Sequence, residues 1–318
     1  MKRRQFLQVT ASALPATLGL DLISCAPAAV KREWGIQLFT IPQLISQDFS
    51  GTLKKLSTYG YKELEFFGPY PFSDKRTIER WVGLAEQMGI TRNAFYGYEV
   101  AEVKKMLADH GLTSPSVHLD IYTMRSNMTE ALKNLSVLEV RYVAIPALID
   151  EPIDTADHFK RLAEEFNTFG KQMKDYGMQF VFHNHGYEHA LRDGEVPMDI
   201  LLTQTDPDVV AFELDIFWMQ AAGASPIDYL NKYPGRFKLM HVKDAEENVR
   251  FSGDGTTPDQ WMEVFPKMAD PGTGVFDIKG IIEAGIQSGT EHFLLEHDLT
   301  PDPETTLKNS IQYLSTIA

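Results

Sequence analysis

Four times along this chain an amphipathic run ends in a glycine and a short apolar run follows at once. LKKLSTYG passes into YKELEFF at Gly60, VKKMLADHG into LTSPSVHLD at Gly111, FGKQMKDYG into MQFVFH at Gly177, and IIEAGIQSG into TEHFLLEHD at Gly289. A glycine just past the last helical turn takes the left-handed conformation that ends a helix, so each junction predicts a helix stop and a strand start. Apolar residues spaced by three and four, such as Phe159, Leu162, Ala163 and Phe166, mark the helices. EWGIQLF, VRYVAIPAL, VVAFELDIFW and FKLMHVKD bring the candidate strands to eight. Strands alternating with helices imply a parallel sheet, and eight such units in this length predict an α/β fold of one domain, a (β/α)8 TIM barrel over residues 33–318. No glycine-rich phosphate loop follows any strand, which argues against an open nucleotide-binding sheet. The stretch 69–99 is longer than one connection needs and predicts an extra helix after strand two, carrying Ile78, Trp81, Ala85 and Met88.

The start of the chain follows another pattern. MKRRQFLQVTASALPATLGLDLISC pairs Arg3 with Arg4 ahead of a short, mildly apolar stretch too rich in Thr, Ser and Pro for a membrane span. Residues 1–24 read as an export signal of twin-arginine type, because Pro15 and Gly19 interrupt an ordinary amphipathic helix. Leu22-Ile23-Ser24-Cys25 resembles a bacterial lipobox, and Cys25, the one cysteine of the chain, is the expected lipidation site; cleavage near the following Ala-Pro-Ala-Ala is the alternative. The expectation is a periplasmic protein with a lipid anchor to the membrane. Loss of residues 1–24 removes Lys2, Arg3, Arg4 and Asp21, taking the net charge from −14 to −16. Such a surface repels phosphate backbones and excludes generic nucleic-acid binding. One mature chain with a single cysteine has no internal disulfide, so its stability rests on a core.

Side chains at the end of a barrel strand point inward at every second residue, and chemistry sits at that rim. Read this way, strand five offers His183 and His185, strand six Glu213 and Asp215, strand seven His241 and Lys243, and strand eight Glu296 and Asp298. The stretch HNHGYEH, from 183 to 189, holds three of the nine histidines together with Glu188. Buried charges are costly unless paired or bound to a metal. An internal ion-pair network would satisfy them; a divalent metal is the other organiser. Imidazole with carboxylate suits Mn, Co, Fe or Zn, and Mg less as histidines accumulate. No Cys–x–x–Cys or His–Glu–x–x–His occurs, which excludes a zinc finger and a zincin protease.

HNHGYE, ELDIFW, PGRFKLMHVKD (234–244) and PGTGVFDIKGII followed by LLEHD stand in an order and spacing that resembles the xylose-isomerase-like TIM barrels, the sugar phosphate isomerase/epimerase family. The resemblance covers nearly the whole chain after residue 24. It implies a metal held by Glu, Asp, His and Glu from strands five to eight. The last three fall on Asp215, His241 and Glu296, while the first falls on His183, leaving a His₂–Asp–Glu set. His185 resembles the catalytic histidine of dehydratase-type members, with Glu188 as a replacement carboxylate or as a partner orienting a histidine.

The chemistry expected is removal of a proton beside a ketone, with an enediolate stabilised by the metal and a neutral histidine as base. Isomerisation or epimerisation of a non-phosphorylated sugar, keto-sugar or inositol-like substrate is the first expectation. The substitution of His183 for a carboxylate disfavours two-base epimerisation, and the alternative is a dehydratase or lyase with His185 as base and Glu188, Lys243 or Glu296 assisting. His118, Glu65, Gln37 and Trp218 are candidates to contact the carbohydrate substrate, and His189 reads as loop surface. Two rivals are weaker. A three-zinc DNA-repair endonuclease would need a basic groove and a further histidine where Trp218 stands. A sugar-binding protein without turnover would not need to keep Asp215, His241 and Glu296.

Overall fold

Eight parallel strands close on themselves: β1 (Gly35–Gln37), β2 (Glu63–Phe66), β3 (Thr113–His118), β4 (Tyr142–Ile145), β5 (Gln179–His183), β6 (Val210–Asp215), β7 (Phe237–Val242) and β8 (His292–Leu295). Each pairs with its neighbour in chain order, and β8 returns to β1 with Gly35 opposite Leu294. The computed structural model describes residues 32–90, 95–148 and 151–317. The export segment 1–24 and Cys25 lie outside the described residues. Among the described residues no helix is long and apolar enough to cross a membrane.

All eight strands are those expected from the pattern, and the four junction glycines adopt positive φ, +110° at Gly60, +64° at Gly111, +73° at Gly177 and +94° at Gly289. The insertion after β2 is also present as the helix Lys75–Met88, followed by a second helix, Val100–Asp109, before β3. Asp74 caps the first by accepting from the Arg76 N–H, and its Trp81 packs edge-on to Phe39 and tilted on Phe67. Ile78, by contrast, keeps 37% of its surface exposed.

The longest helix shows why the outer ring holds. Ala156–Lys174 is capped by Thr155, which accepts from the His158 N–H, and carries Asp157 in its first turn and Lys171 and Lys174 in its last, each sign matched to the helix dipole. Its apolar face, with Phe159, Leu162, Phe166 and Met173 buried, lies on the barrel, where the Phe166 ring meets Phe180 at 4.6 Å and Phe182 at 5.5 Å. Gly170 on the same helix lets it approach the chain entering β6: a Cβ there would stand 2.4 Å from the Val209 carbonyl oxygen.

Inside the barrel the period of two stacks side chains in layers. One of them is apolar: Tyr142, Ala144, Val181, Ala211, Leu239 and Leu294 form a cluster separate from the main core. Two residues further along β5, β6 and β7 the interior turns polar at His183, Glu213 and His241, joined by Gln37, Glu65 and His118 from β1 to β3, all buried. Two register shifts adjust this layer. One lies between Glu63 and Glu65, where β3 carries an extra residue at Pro115, a residue tolerated within sheets mainly at bulges and edges. The other lies between Phe212 and Glu213.

Gly170→Ala is expected to destabilise the fold by about 1–3 kcal/mol, because rigid backbone must move to admit the methyl group. Gly83→Ala, in the exposed insertion helix with nothing near its Cβ position, is expected to stabilise by about 0.5–1 kcal/mol. Denaturant unfolding of both variants beside the parent checks the pair.

Candidate metal centre

Two glutamates set the site from below. The Glu65 Oε2 atom lies 2.7 Å from His241 Nε2 and 3.0 Å from His118 Nε2, and Gln37 donates to the same carboxylate at 2.7 Å. Glu213 Oε2 meets His118 Nε2 at 2.9 Å and His183 Nδ1 at 3.0 Å, and Glu213 Oε1 is 3.1 Å from His241 Nε2. Burial alone would raise the pKa of Glu65, but the charges of His118 and His241 override it and hold the carboxyl far below its ordinary value. Glu213 is likewise held low, against both burial and the repulsion of Glu65, by His241, His118 and His183. In return, burial opposes protonation of His118 while the two glutamates raise it to about 9; His241 also rises, and His183, buried beside His241, falls well below the usual imidazole range. The two glutamates and the histidines around them thus stabilise one another's charged forms in the barrel interior, while burial beside His241 disfavours a charge on His183.

Gln37, Glu65 and His118 thus support the histidines from beneath. Gln37 and Glu65 are fully enclosed, so the expectation that they contact substrate gives way to this positioning part.

The other nitrogen of each histidine faces the next layer. His183 Nε2 lies 3.5 Å from Asp215 Oδ2, and His241 Nδ1 lies 2.7 Å from Glu296 Oε2 and 3.8 Å from Asp215 Oδ2. The structure brings the four expected ligands together. Asp215 is held by its neighbours: its Oδ1 accepts from the Trp218 N–H at 3.0 Å, capping the short helix Ile216–Ala221, and its own N–H donates to Asn184 Oδ1 at 2.9 Å. Sequence reasoning misses Asn184; its place between two inward histidines is the only signal it carries.

Two groups of buried ligand atoms come within 4.8 Å of one another: His118, His183, Glu213 and His241, and, one layer up, Asp215, His241 and Glu296. A neutral imidazole has one lone pair, so His241 serves only one of them as a ligand. In the lower group His118 and His183 both hydrogen-bond to Glu213 Oε2, at 2.9 and 3.0 Å, while Glu213 Oε1 has no aligned partner. In the upper, Asp215 Oδ2 and His241 Nδ1 are buried with no aligned hydrogen-bond partner. Ligand atoms that converge in this way, with each ring anchored through its other nitrogen on a carboxylate, fit a divalent ion bound by His183, Asp215, His241 and Glu296. The positive charge these oxygens need comes, in the protein alone, from Lys243, whose Nζ lies 2.7 Å from Glu296, 3.0 Å from Asp215 and 2.5 Å from Asp298.

The remaining candidates occupy the rim. Glu188 is buried and accepts from the N–H groups of His185 (3.1 Å) and Gly186 (2.8 Å), so it fixes the turn that carries His185 and does not replace the strand-five carboxylate. Burial pushes its carboxyl up to about 7. Gly186 sits at φ +96°, with Phe251 and the Trp218 carbonyl within 2.7 Å of its Cβ position, so only glycine fits this turn. His185 stacks on Trp218 (5.6 Å, 21°) and lies tilted against Trp261 (5.3 Å, 42°); burial and the nearby Lys243 charge lower its pKa to about 3. His189 departs from the loop-surface expectation. Its two ring nitrogens are enclosed and the ring packs edge-on to Tyr229 at 4.9 Å.

A parallel barrel with an imidazole–carboxylate centre at the carboxyl ends of strands five to eight defines a class of metal-assisted barrel enzymes. The chain belongs to the xylose isomerase-like TIM barrel family, whose model matches residues 53–317. It is 24% identical over 259 residues to the inosose dehydratase of Lacticaseibacillus casei, covering 78% of this chain and 80% of that protein. Among solved structures it resembles a sugar phosphate isomerase/epimerase from Parabacteroides distasonis ATCC 8503, at 26% identity and a TM-score of 0.67, covering 95% of this chain and 98% of that one. It also shares its fold with the IolI protein, solved with a bound zinc atom, at 15% identity and a TM-score of 0.63, covering 90% and 97%.

Elemental analysis of the purified protein is expected to find about one transition-metal ion per chain, lost in Asp215→Ala and kept in His185→Ala. Equal metal content in both variants would place the ion elsewhere.

Proposed function

We propose that the protein is a metal-dependent dehydratase or lyase acting on a non-phosphorylated keto-inositol, keto-sugar or keto-glycoside. The observation that carries this reading is the state of the rim. Asp215, Glu296 and Asp298 are engaged by Lys243, Glu188 is tied to its own turn, and among the described residues His185 is the titratable group at the mouth left without a charged or hydrogen-bonding side-chain partner. Epimerisation asks for a base on each face of the substrate, and only one is free. Elimination asks for a single group that takes a proton and returns it. The inosose dehydratases among the relatives support the same choice over isomerisation.

When bound by His183, Asp215, His241 and Glu296, a divalent ion would supply Lewis acidity to the ketone oxygen and its neighbouring hydroxyl; the two imidazoles favour Mn, Co, Fe or Zn. The chain's own residues do the rest. His185, neutral at physiological pH, removes the proton from the carbon beside the ketone. The electron pair forms a carbon–carbon double bond as the carbon–oxygen bond at the next carbon breaks. The imidazolium so formed returns the proton to the departing oxygen and releases water or an alcohol. Trp218 and Trp261 hold the ring in place. An exported location, read from residues 1–24, belongs to the same proposal and favours a substrate without phosphate.

Turnover of a panel of inososes, keto-sugars and keto-glycosides, followed by NMR, is expected to show loss of water or alcohol and an unsaturated ketone. His185→Ala should lower kcat by roughly 10²–10⁴-fold with KM little changed. A stereoisomer of the substrate as sole product would instead establish an epimerase.

A further inference from the structure

Beside the metal centre lies a second cavity of about 660 Å³, within the roughly 300–1,000 Å³ range of small-molecule sites. None of His183, His185, Asp215, His241 or Glu296 lines it; Asp298 does, and Asp298 holds the Lys243 ammonium at 2.5 Å. The two spaces therefore meet at this ion pair. The geometry points to this cavity as the subsite for the leaving group of the substrate, a second neutral, polyhydroxylated ring. This rests on the elimination chemistry proposed above and names its substrate class: a keto-glycoside, larger than a free inosose.

Three observations carry the assignment. The first is charge. Glu246, Asp270, Asp298 and Asp302 line the cavity, and among the described residues no lysine or arginine does. A phosphate or carboxylate would meet a lining rich in carboxylates there, which favours a neutral ligand. The second is a prearranged polar floor. His297 Nδ1 lies 2.9 Å from Asp270 Oδ1, the Thr306 hydroxyl donates to the same oxygen at 2.7 Å, and Thr300 and Thr306 share a hydrogen bond of 2.7 Å. This network fixes the His297 ring and leaves Nε2 for a ligand hydroxyl. Across from it, Phe265, Leu299 and Met262 give an apolar side, and Met262 is 62% exposed at the edge. A pyranose ring, with C–H faces and a hydroxyl rim, matches both sides.

The third observation is the backbone between the two spaces. Leu299 has φ +52°, a conformation that a bulky residue keeps only when its surroundings enforce it. It stands between Asp298, which reaches Lys243, and Thr300, which belongs to the polar floor. With the keto ring at the metal centre and the second ring here, the bond broken joins the two. Its oxygen leaves with the second ring after taking the proton from His185, so the products are an unsaturated ketone and an alcohol.

Isothermal titration calorimetry on the metal-loaded protein tests this with ligands that do not react: methyl glucoside, myo-inositol and glucose 6-phosphate against trehalose, cellobiose and maltose. At least one disaccharide is expected to bind tenfold or more tighter than either neutral single ring, with glucose 6-phosphate weakest. Thr273→Trp and Met262→Trp, which fill the cavity from its exposed edge, should bring that ratio close to one. Equal affinities for one and two rings, a ratio untouched by both variants, or preference for the phosphorylated ring would each overturn the assignment. Because no ligand turns over, the binding result is independent of the elimination assay, whose failure would count against the proposed chemistry instead.

Discussion

Two carboxylates buried at the centre of the barrel, Glu65 and Glu213, are what the rest of the site depends on. Removing an ion from water costs several kcal/mol unless partners replace the lost solvation. Here the partners are His118, His183 and His241, all within 3.1 Å of a carboxylate oxygen. The exchange is reciprocal. The histidines keep the glutamates ionised, and the glutamates fix one nitrogen of each ring, which decides where the other nitrogen stands. The layer where we place the metal is thus built on these ion pairs.

The layering follows from strand geometry. Along β5, β6 and β7 the inward positions run from apolar (Val181, Ala211, Leu239) to the supporting layer (His183, Glu213, His241) to the rim (His185, Asp215, Lys243). One turn of the pleat separates each function from the next. Asp298 completes the rim by holding Lys243 from the side of the second cavity, so the charges at the mouth are coupled to the space where we place the leaving group.

Much of this is legible in the sequence. The glycine junctions locate the helix ends, and the period of two locates the inward residues of β5 to β8, because both signals are local. The contacts across the barrel are not local. Gln37, Glu65 and His118 lie 28 to 176 residues from their partners, so their inward direction is readable while their partner is not. Glu213 is recognisable as inward, yet nothing in ELDIFW distinguishes a residue that holds a ring from one that binds an ion. Glu188 escapes a linear reading for a similar reason: the glycine at 186 reverses the chain, and the carboxylate bonds to its own turn. The second cavity is formed by segments around Met262 and around Thr300, which no sequence pattern joins.

The dependence of the upper layer on the lower can be measured directly. Glu213→Gln keeps the volume and one hydrogen-bond acceptor but removes the charge that orients His183 and His241. Metal affinity, determined by competition with a chelator on protein shown by thermal unfolding to be folded, is predicted to weaken by roughly 10–100-fold. An affinity equal to that of the parent would mean that the histidines need no carboxylate beneath them, and would contradict the dependence of the metal layer on the glutamates below it.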